Sequence, residues 1–286
     1  TAWGDYDDDG DQDVVVTNYR FGTSPALYRN DGNFEFTRLE GVLDEPVFAS
    51  SAATWADIDN DADLDLFITG VLGLANRVYL NRGGGRLERV VSDAASLEGG
   101  NSYALTVFDA ENDGDQDVVV ANWGSAPAMY LNDGEGGFTS LDVTRLGTGV
   151  AMASSIASAD IDGDGLVDIV IGNWPNTPGP AEENVVLTNR SDGGNWLRVK
   201  LVGTTSNAAG IGARIEVTGA AGGDGVRQIR EVQAHTGWRS QSDLVQHFGL
   251  GSDEVVDVEV RWPSGSESHR SGVTANQVVE IFESSQ

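Results

Sequence analysis

Apolar residues in this chain fall in short alternating or fully apolar runs, without the spacing of a sustained helix. From residue 1 to about 190 one unit repeats. Each unit opens on an acidic loop and passes at once into a β-branched run, at residues 14–17, 66–69, 118–121 and 169–172. Branching at Cβ restricts χ1 and favours the extended backbone. A second run ends in a turn: Asn30-Asp31-Gly32, Asn81-Arg82-Gly83 and Asn132-Asp133-Gly134. Asn and Gly tolerate the positive φ of a tight hairpin. A third run (34–39, 86–91, 138–143) follows, then a fourth rich in small residues (49–55, 102–108, 153–159). Four short strands per unit of about fifty residues is the pattern of a propeller blade. A second segment, 196–286, has strand-like runs at 196–201, 213–218, 228–232, 255–262 and 278–282, broken by Gly-, Ser- and Asn-rich turns. The expected fold is all-β: partial β-propeller blades over 1–190, then a β-sandwich-like domain over 196–286.

The acidic loops set the period. They read Asp5-Tyr-Asp-Asp-Asp-Gly-Asp-Gln-Asp13, Asp57-Ile-Asp-Asn-Asp-Ala-Asp-Leu-Asp65, Asp109-Ala-Glu-Asn-Asp-Gly-Asp-Gln-Asp117 and Asp160-Ile-Asp-Gly-Asp-Gly-Leu-Val-Asp168, with starts 52, 52 and 51 residues apart. Like charges this dense must be neutralised or widely solvated. Alternating carboxylates around a sharp turn suit a hard cation with oxygen ligands, which favours calcium over zinc or copper. An EF-hand would need a Glu at loop position 12 and a flanking helix. Val16, Ile68, Val120 and Ile171 occupy that position instead, inside strand-like runs, which excludes it.

With their following strands, these loops resemble the FG-GAP/VCBS repeats of integrin-type β-propellers. The resemblance implies that side chains at loop positions 1, 3, 5 and 9 and the carbonyl at position 7 bind calcium. The implied ligands are Asp5, Asp7, Asp9, Asp11 and Asp13; Asp57, Asp59, Asp61, Asp63 and Asp65; Asp109, Glu111, Asp113, Asp115 and Asp117; and Asp160, Asp162, Asp164, Leu166 and Asp168. About four ions are expected, structural rather than catalytic. Two departures stand out: Ala62 replaces the turn glycine of the second loop, and Glu111 replaces an Asp in the third. Ala in a left-handed turn costs about 1 kcal/mol, so the second loop is expected to be the weaker of the two. In the second segment Asn207-Ala-Ala-Gly-Ile-Gly-Ala213, Gln246-His-Phe-Gly-Leu-Gly251 and Arg261-Trp-Pro-Ser-Gly265 resemble the ASPIC/UnbV domain, to which no well-defined activity attaches. Related propellers have more blades than the three full periods and partial fourth present here. The chain also opens Thr1-Ala-Trp without Met or leader. Expectation therefore divides between a longer parent chain and copies that cover one another's open faces.

Composition narrows the partners. The formal charge is −28, which excludes nucleic acid as a natural partner. Twenty of the 45 acidic residues lie in the four loops, so much of that charge belongs to the implied metal sites. There is no cysteine and no apolar run long enough to span a membrane. Catalysis finds no constellation: His235, His247 and His269 are far apart, and the paired carboxylates are assigned to metal. Asn18-Tyr19, Asn122-Trp123 and Asn173-Trp174 recur five residues after a last ligand, where the second unit has Gly70-Val71. They are either packing between blades or a ligand rim on which sugar rings or partner side chains stack. Asn189-Arg-Ser191 matches a glycosylation acceptor. The reading is an extracellular calcium-binding protein, not an enzyme, acting in adhesion or in protein or glycan binding. The alternatives are a self-assembling subunit of a surface layer or filament, and a propeller-scaffolded carbohydrate-active enzyme.

Overall fold

A computed structural model describes residues 1–20, 22–44, 48–91, 93–141, 152–174, 183–219 and 227–284. Asp142 and Val143, expected in the third run of the third unit, lie outside the described residues. The first blade is an antiparallel meander of β1 (Ala2–Gly4), β2 (Asp13–Val16), β3 (Ala26–Asn30) and β4 (Phe36–Leu39). The second is β5 (Ser50–Ala56) and β6 (Asp65–Gly70), continued by β8 (Arg77–Asn81) and β9 (Leu87–Val90); a two-residue pair, β7 (Leu74–Ala75) with β10 (Gly99–Gly100), flanks it. One short helix, α1 (Ala94–Leu97), capped by Asp93, precedes the third blade. That blade is β11 (Ser102–Phe108), β12 (Asp117–Asn122), β13 (Ala128–Asn132) and β14 (Phe138–Leu141). The fourth shows β15 (Ala153–Ala159), β16 (Asp168–Asn173) and β17 (Val185–Leu187) among the described residues.

The first strands of the blades lie side by side, β1 against β5, β5 against β11 and β11 against β15. Their neighbours need both faces apolar, which is why β6 and β12 are buried along their whole length. The cores lie between blades rather than within them. Tyr6, Val15 and Leu27 of the first blade pack with Trp55, Leu66 and Tyr79 of the second, and the Tyr6 and Trp55 rings stack at 5.4 Å. Phe67 of the second meets Phe138 of the third edge to face at 6.2 Å. The corresponding positions of the first blade, Trp3 and Phe36, face no blade among the described residues and are 47% and 41% exposed.

The second segment forms two sheets about one core of Leu197, Ile215, Phe248, Val258 and neighbouring apolar residues. One sheet is ordered β21 (Gln246–Gly251), β18 (Asn195–Val202), β24 (Gln277–Phe282). The other is ordered β20 (Arg227–Glu231), β19 (Arg214–Gly219), β22 (Val255–Arg261), β23 (Glu267–Thr274). This domain rests on the acidic-loop ends of the blades. Ile229 joins the core between the first two blades, and residues 232–245 continue inward along the first strands.

Candidate metal centres and the rim opposite them

All four loops fold the same way. The position-1 carboxylate accepts from the backbone N–H at position 6, at 3.0 Å for Asp5, 3.3 Å for Asp57, 2.8 Å for Asp109 and 3.2 Å for Asp160. The position-5 carboxylates Asp9, Asp61, Asp113 and Asp164 accept from the N–H of Asp11, Asp63, Asp115 and Leu166 at 2.9 to 3.0 Å. Two bends per loop are left-handed. Asp8, Asn60 and Asn112 take φ of 58°, 56° and 56° at position 4, where the fourth loop has Gly163. At position 6 Gly10, Gly114 and Gly165 are joined by Ala62, with φ 70°. Asn and Asp bear this conformation at little cost, and Ala62 bears it while its methyl is buried in the core between blades.

The position-9 aspartates tie each loop to its sheet. Asp13, Asp65, Asp117 and Asp168 each accept from the position-2 N–H with one oxygen. With the other they accept from the N–H of Asn30, Asn81, Asn132 and Asn189.

Oxygens of Asp5, Asp7 and Asp13 lie within 4.8 Å of one another, as do those of Asp57, Asp59 and Asp61 and those of Asp160, Asp162 and Asp168. Asp7 Oδ1, Asp57 Oδ2 and Asp59 Oδ1 are buried without a hydrogen-bond partner. Burial pushes Asp5 up to about 6, Asp13 and Asp57 to about 7 and Asp65 to about 8. Buried, unpartnered, all-oxygen clusters fit a hard divalent cation, whose charge would hold these groups ionised. The third loop differs. Glu111 is hydrogen-bonded to Asp117, burial raises both, and among the described residues no three of its carboxylates converge in this way.

Arginines of the second domain meet the loops. Arg261 pairs with Asp8 at 2.6 Å and Arg198 with Asp160 at 3.0 Å, and Arg214 donates to the Ala62 carbonyl. Arg230 is buried over the Phe248 ring within reach of Asp57, Asp109 and Asp115. Burial brings it down to about 10 against the upward pull of those carboxylates. The Gly-rich run of β21 lies on the third loop: Gly251 N–H donates to the Asn112 carbonyl at 2.8 Å, and His247 Nε2 meets Asn112 Oδ1 at 2.7 Å. A Cβ at Gly249 would come within 2.5 Å of Asn112 Cα, so only glycine fits there. His247 is therefore a packing residue, held neutral with its pKa lowered by burial to about 3.

The Asn-aromatic pairs sit at the other end of the blades. Asn18 and Asn122 spend their amides on the carbonyls of Ser24 and Ala126. Asn173 donates to the Glu183 carbonyl. The asparagines thus shape the rim, whereas Tyr19 and Trp174 stay open on it and Trp123 is half-buried. Tyr19 OH meets Tyr103 OH at 2.6 Å, and the Tyr103 ring lies 5.6 Å from that of Trp123. Trp174 is stacked by Arg239 of the second domain. Tyr103, Trp238 and Arg239 were absent from the sequence reading of this rim, because they come from a strand start and a loop outside the repeat. The Asn189-Arg-Ser191 tripeptide is structural: Asn189 Nδ2 and Ser191 Oγ both donate to the Ala110 carbonyl at 2.8 Å.

Residues 5–68 and 109–171 match the FG-GAP-like repeat family, and residues 203–286 match the ASPIC and UnbV family. The chain carries FG-GAP-like repeats followed by an ASPIC/UnbV domain. It is homologous to cartilage acidic protein 1, being 27% identical to the Mus musculus protein over 280 residues and 27% to the Homo sapiens protein over 279. These alignments cover 90% and 89% of this chain but 41% and 39% of the relatives, so the chain spans about two fifths of their length. A solved structure, of an Agrocybe aegerita lectin recognising non-reducing terminal N-acetylglucosamine, aligns at TM-score 0.40 and 20% identity over 65% of this chain and 51% of the lectin. That score establishes nothing about ligands.

Proposed function

We propose that this FG-GAP and ASPIC/UnbV chain is an extracellular calcium-binding module acting in adhesion, or in protein or glycan binding, with calcium as its structural element. The observation that carries the reading is the convergence of carboxylate oxygens in the first, second and fourth loops, with buried, unpartnered oxygens in the first two. Asp5, Asp7 and Asp13, Asp57, Asp59 and Asp61, and Asp160, Asp162 and Asp168 would hold the ions. Bound calcium supplies the positive charge that lets these carboxylates ionise together. The chain's own residues do the rest: position-9 aspartates fix each loop to its sheet, and the arginines of the second domain dock on the loops' outer oxygens. Loops of this kind in extracellular modules bind calcium at micromolar to millimolar concentrations, which suits the outside of a cell. No helix among the described residues is long and apolar enough to cross a membrane. The aromatic rim is the ligand surface, because Tyr19 and Trp174, which follow β2 and β16 at equivalent places, remain open to solvent there.

Calorimetric titration of the metal-free chain with calcium tests the reading; absence of saturable binding overturns it. The exposed face formed by Trp3 and Phe36 favours a second reading, self-assembly of copies.

A further inference from the structure

The second domain does not merely cap the acidic loops. Residues 232–245, between β20 and β21, form a hairpin that runs along the first strands of the blades and back. On the way in, Gln233 Nε2 donates to the Trp55 carbonyl at 3.1 Å. On the way out, Ser240 Oγ accepts from Ile156 N–H at 3.0 Å and Ser242 Oγ from Ser158 N–H at 3.2 Å, while Asp243 N–H donates to the Ser158 carbonyl at 3.1 Å. Gly237 has φ 128° at the tip, where an added Cβ would meet the Leu105 carbonyl at 2.8 Å. The tip, Trp238-Arg239, therefore emerges beside Trp174, at the rim and away from the calcium loops.

Arg239 is held there as a displayed cation. Its guanidinium carbon lies 5.0 Å from the Trp174 ring centre and 5.2 Å from that of Trp238. Its backbone is in the left-handed region at φ 54°, a strained conformation for arginine that the surrounding turn must enforce. Thr236 N–H donates to the Ser240 carbonyl and Ser240 Oγ to the Trp238 carbonyl, which closes that turn. Among the described residues Arg239 makes no ion pair or hydrogen bond of its own, although the chain carries a net charge of −28. Stacking leaves the N–H edge of a guanidinium free for bidentate binding of a carboxylate.

Resting on the reading of the rim as a ligand surface, we infer that Arg239, clamped by Trp174 and Trp238, is the receptor for the carboxylate of a uronic-acid-bearing saccharide. The surrounding negative field disfavours a polyanion, so the ligand carries a single carboxylate. Beyond that clamp the rim offers the flat, open ring of Tyr19, at 53% exposure, which suits the C–H face of a pyranose better than a side chain seeking a cleft.

The test uses the full calcium-loaded chain, a glucuronate-terminated oligosaccharide and its uncharged methyl ester, read by indole N–H shifts in NMR and by affinity. The acid should bind at least about tenfold tighter than the ester, shifting Trp174 and Trp238. Arg239→Gln should remove that preference, bringing the acid to the ester's level, and leave the calcium affinity and the melting temperature unchanged. Arg239→Lys should fall between, since it keeps the charge and loses the fork. Equal binding of acid and ester overturns the carboxylate receptor while leaving the rim as a binding surface. Binding of neither saccharide overturns the ligand class, as does capture of a peptide with a free C-terminal carboxylate through Arg239 in their place.

Discussion

The side-chain amide of Asn132 donates to the backbone carbonyl of Ile58 at 2.7 Å, across 74 residues of chain. Ile58 holds position 2 of the second acidic loop, so the third blade grips the loop of the blade before it. Asn81 makes the same bond to the Tyr6 carbonyl at 2.7 Å, and Asn189 to the Ala110 carbonyl at 2.8 Å. Asn30 instead donates to the Gln12 carbonyl of its own blade. Removing the amide strands a buried carbonyl, so Asn132→Ala should cost about 1–3 kcal/mol. Asn30→Ala, at a half-buried site, should cost less. Urea denaturation of the two variants checks this, and equal losses would refute the inter-blade staple.

That asparagine marks the limit of what the sequence discloses. Its place in the Asn-Asp-Gly turns was legible, since Asn30 pairs with Phe36 and Asn132 with Phe138 in the expected hairpins. The loop period and the inward β-branched runs were legible for the same reason, because both are local patterns. The hold on the neighbouring loop was not, because its partner lies in another repeat. Strands β21 and β23 were also missed. The first is glycine-rich because it lies against the third loop, and the second is largely exposed and polar, so neither shows an apolar run. The hairpin at 232–245 has no periodic signal and is fixed only by distant contacts.

Calcium removal should destabilise the blades. A ligand at a hundredfold excess over its Kd contributes about 2.7 kcal/mol per site. Excess chelator should therefore lower the melting temperature sharply and expose Trp55, now stacked on Tyr6 between two blades. Scanning calorimetry with tryptophan emission follows both, and an unchanged melting curve would rule out a structural role for the ion.

Without calcium the pH dependence should run opposite to that of most proteins. Burial raises Asp5 to about 6, Asp13, Asp57 and Asp109 to about 7, and Asp65 to about 8. The metal-free folded chain therefore keeps protons that the unfolded chain has released. The stability these groups contribute is complete below about pH 4 and is lost as pH rises through 6 to 8. His247 and His235, both lowered by burial, act the other way and lose stability as pH falls below 6.5, but they are outnumbered by the raised carboxylates, which include Asp117 and Glu231 as well. In chelator the melting temperature should fall between pH 5 and 8, and saturating calcium should abolish that fall. A rise over the same range in chelator would contradict the assignment.

The two departures from the loop pattern are expected to rank differently from what the missing glycine alone suggests. Ala62→Gly relieves a left-handed alanine, by about 1–2 kcal/mol. It also forfeits a buried methyl, about 0.8 kcal/mol, and adds glycine's chain entropy, about 0.5–1 kcal/mol. The effects nearly cancel, so the second loop is not weakened by Ala62, and its carboxylates converge. In the third, Glu111 turns to Asp117 instead. Asp61→Ala should therefore reduce calcium affinity more than Asp113→Ala, which titration of both variants decides. Glu111→Asp should strengthen the third site.

The first blade leaves an apolar face open to solvent. In the second blade Trp55 and Leu87 bury against the first, and Phe138 of the third buries against Phe67 of the second. Trp3 and Phe36 hold the corresponding positions in the first blade, pair edge to face at 6.2 Å, and remain open to solvent. At the other end of the series Ile161, at position 2 of the fourth loop, is 53% exposed, whereas Tyr6, Ile58 and Ala110 at that position are each covered by the next blade. One copy's Ile161 can therefore seat against another copy's Trp3 and Phe36, a head-to-tail contact that closes into a ring or propagates. Sedimentation of this chain should show mass rising with concentration. Trp3→Ser combined with Phe36→Ser should hold it at the monomer without lowering its calcium affinity, because neither side chain touches a loop carboxylate. A wild-type chain that stays monomeric at millimolar concentration would exclude assembly through this face, and an unchanged association in the double variant would place the contact elsewhere.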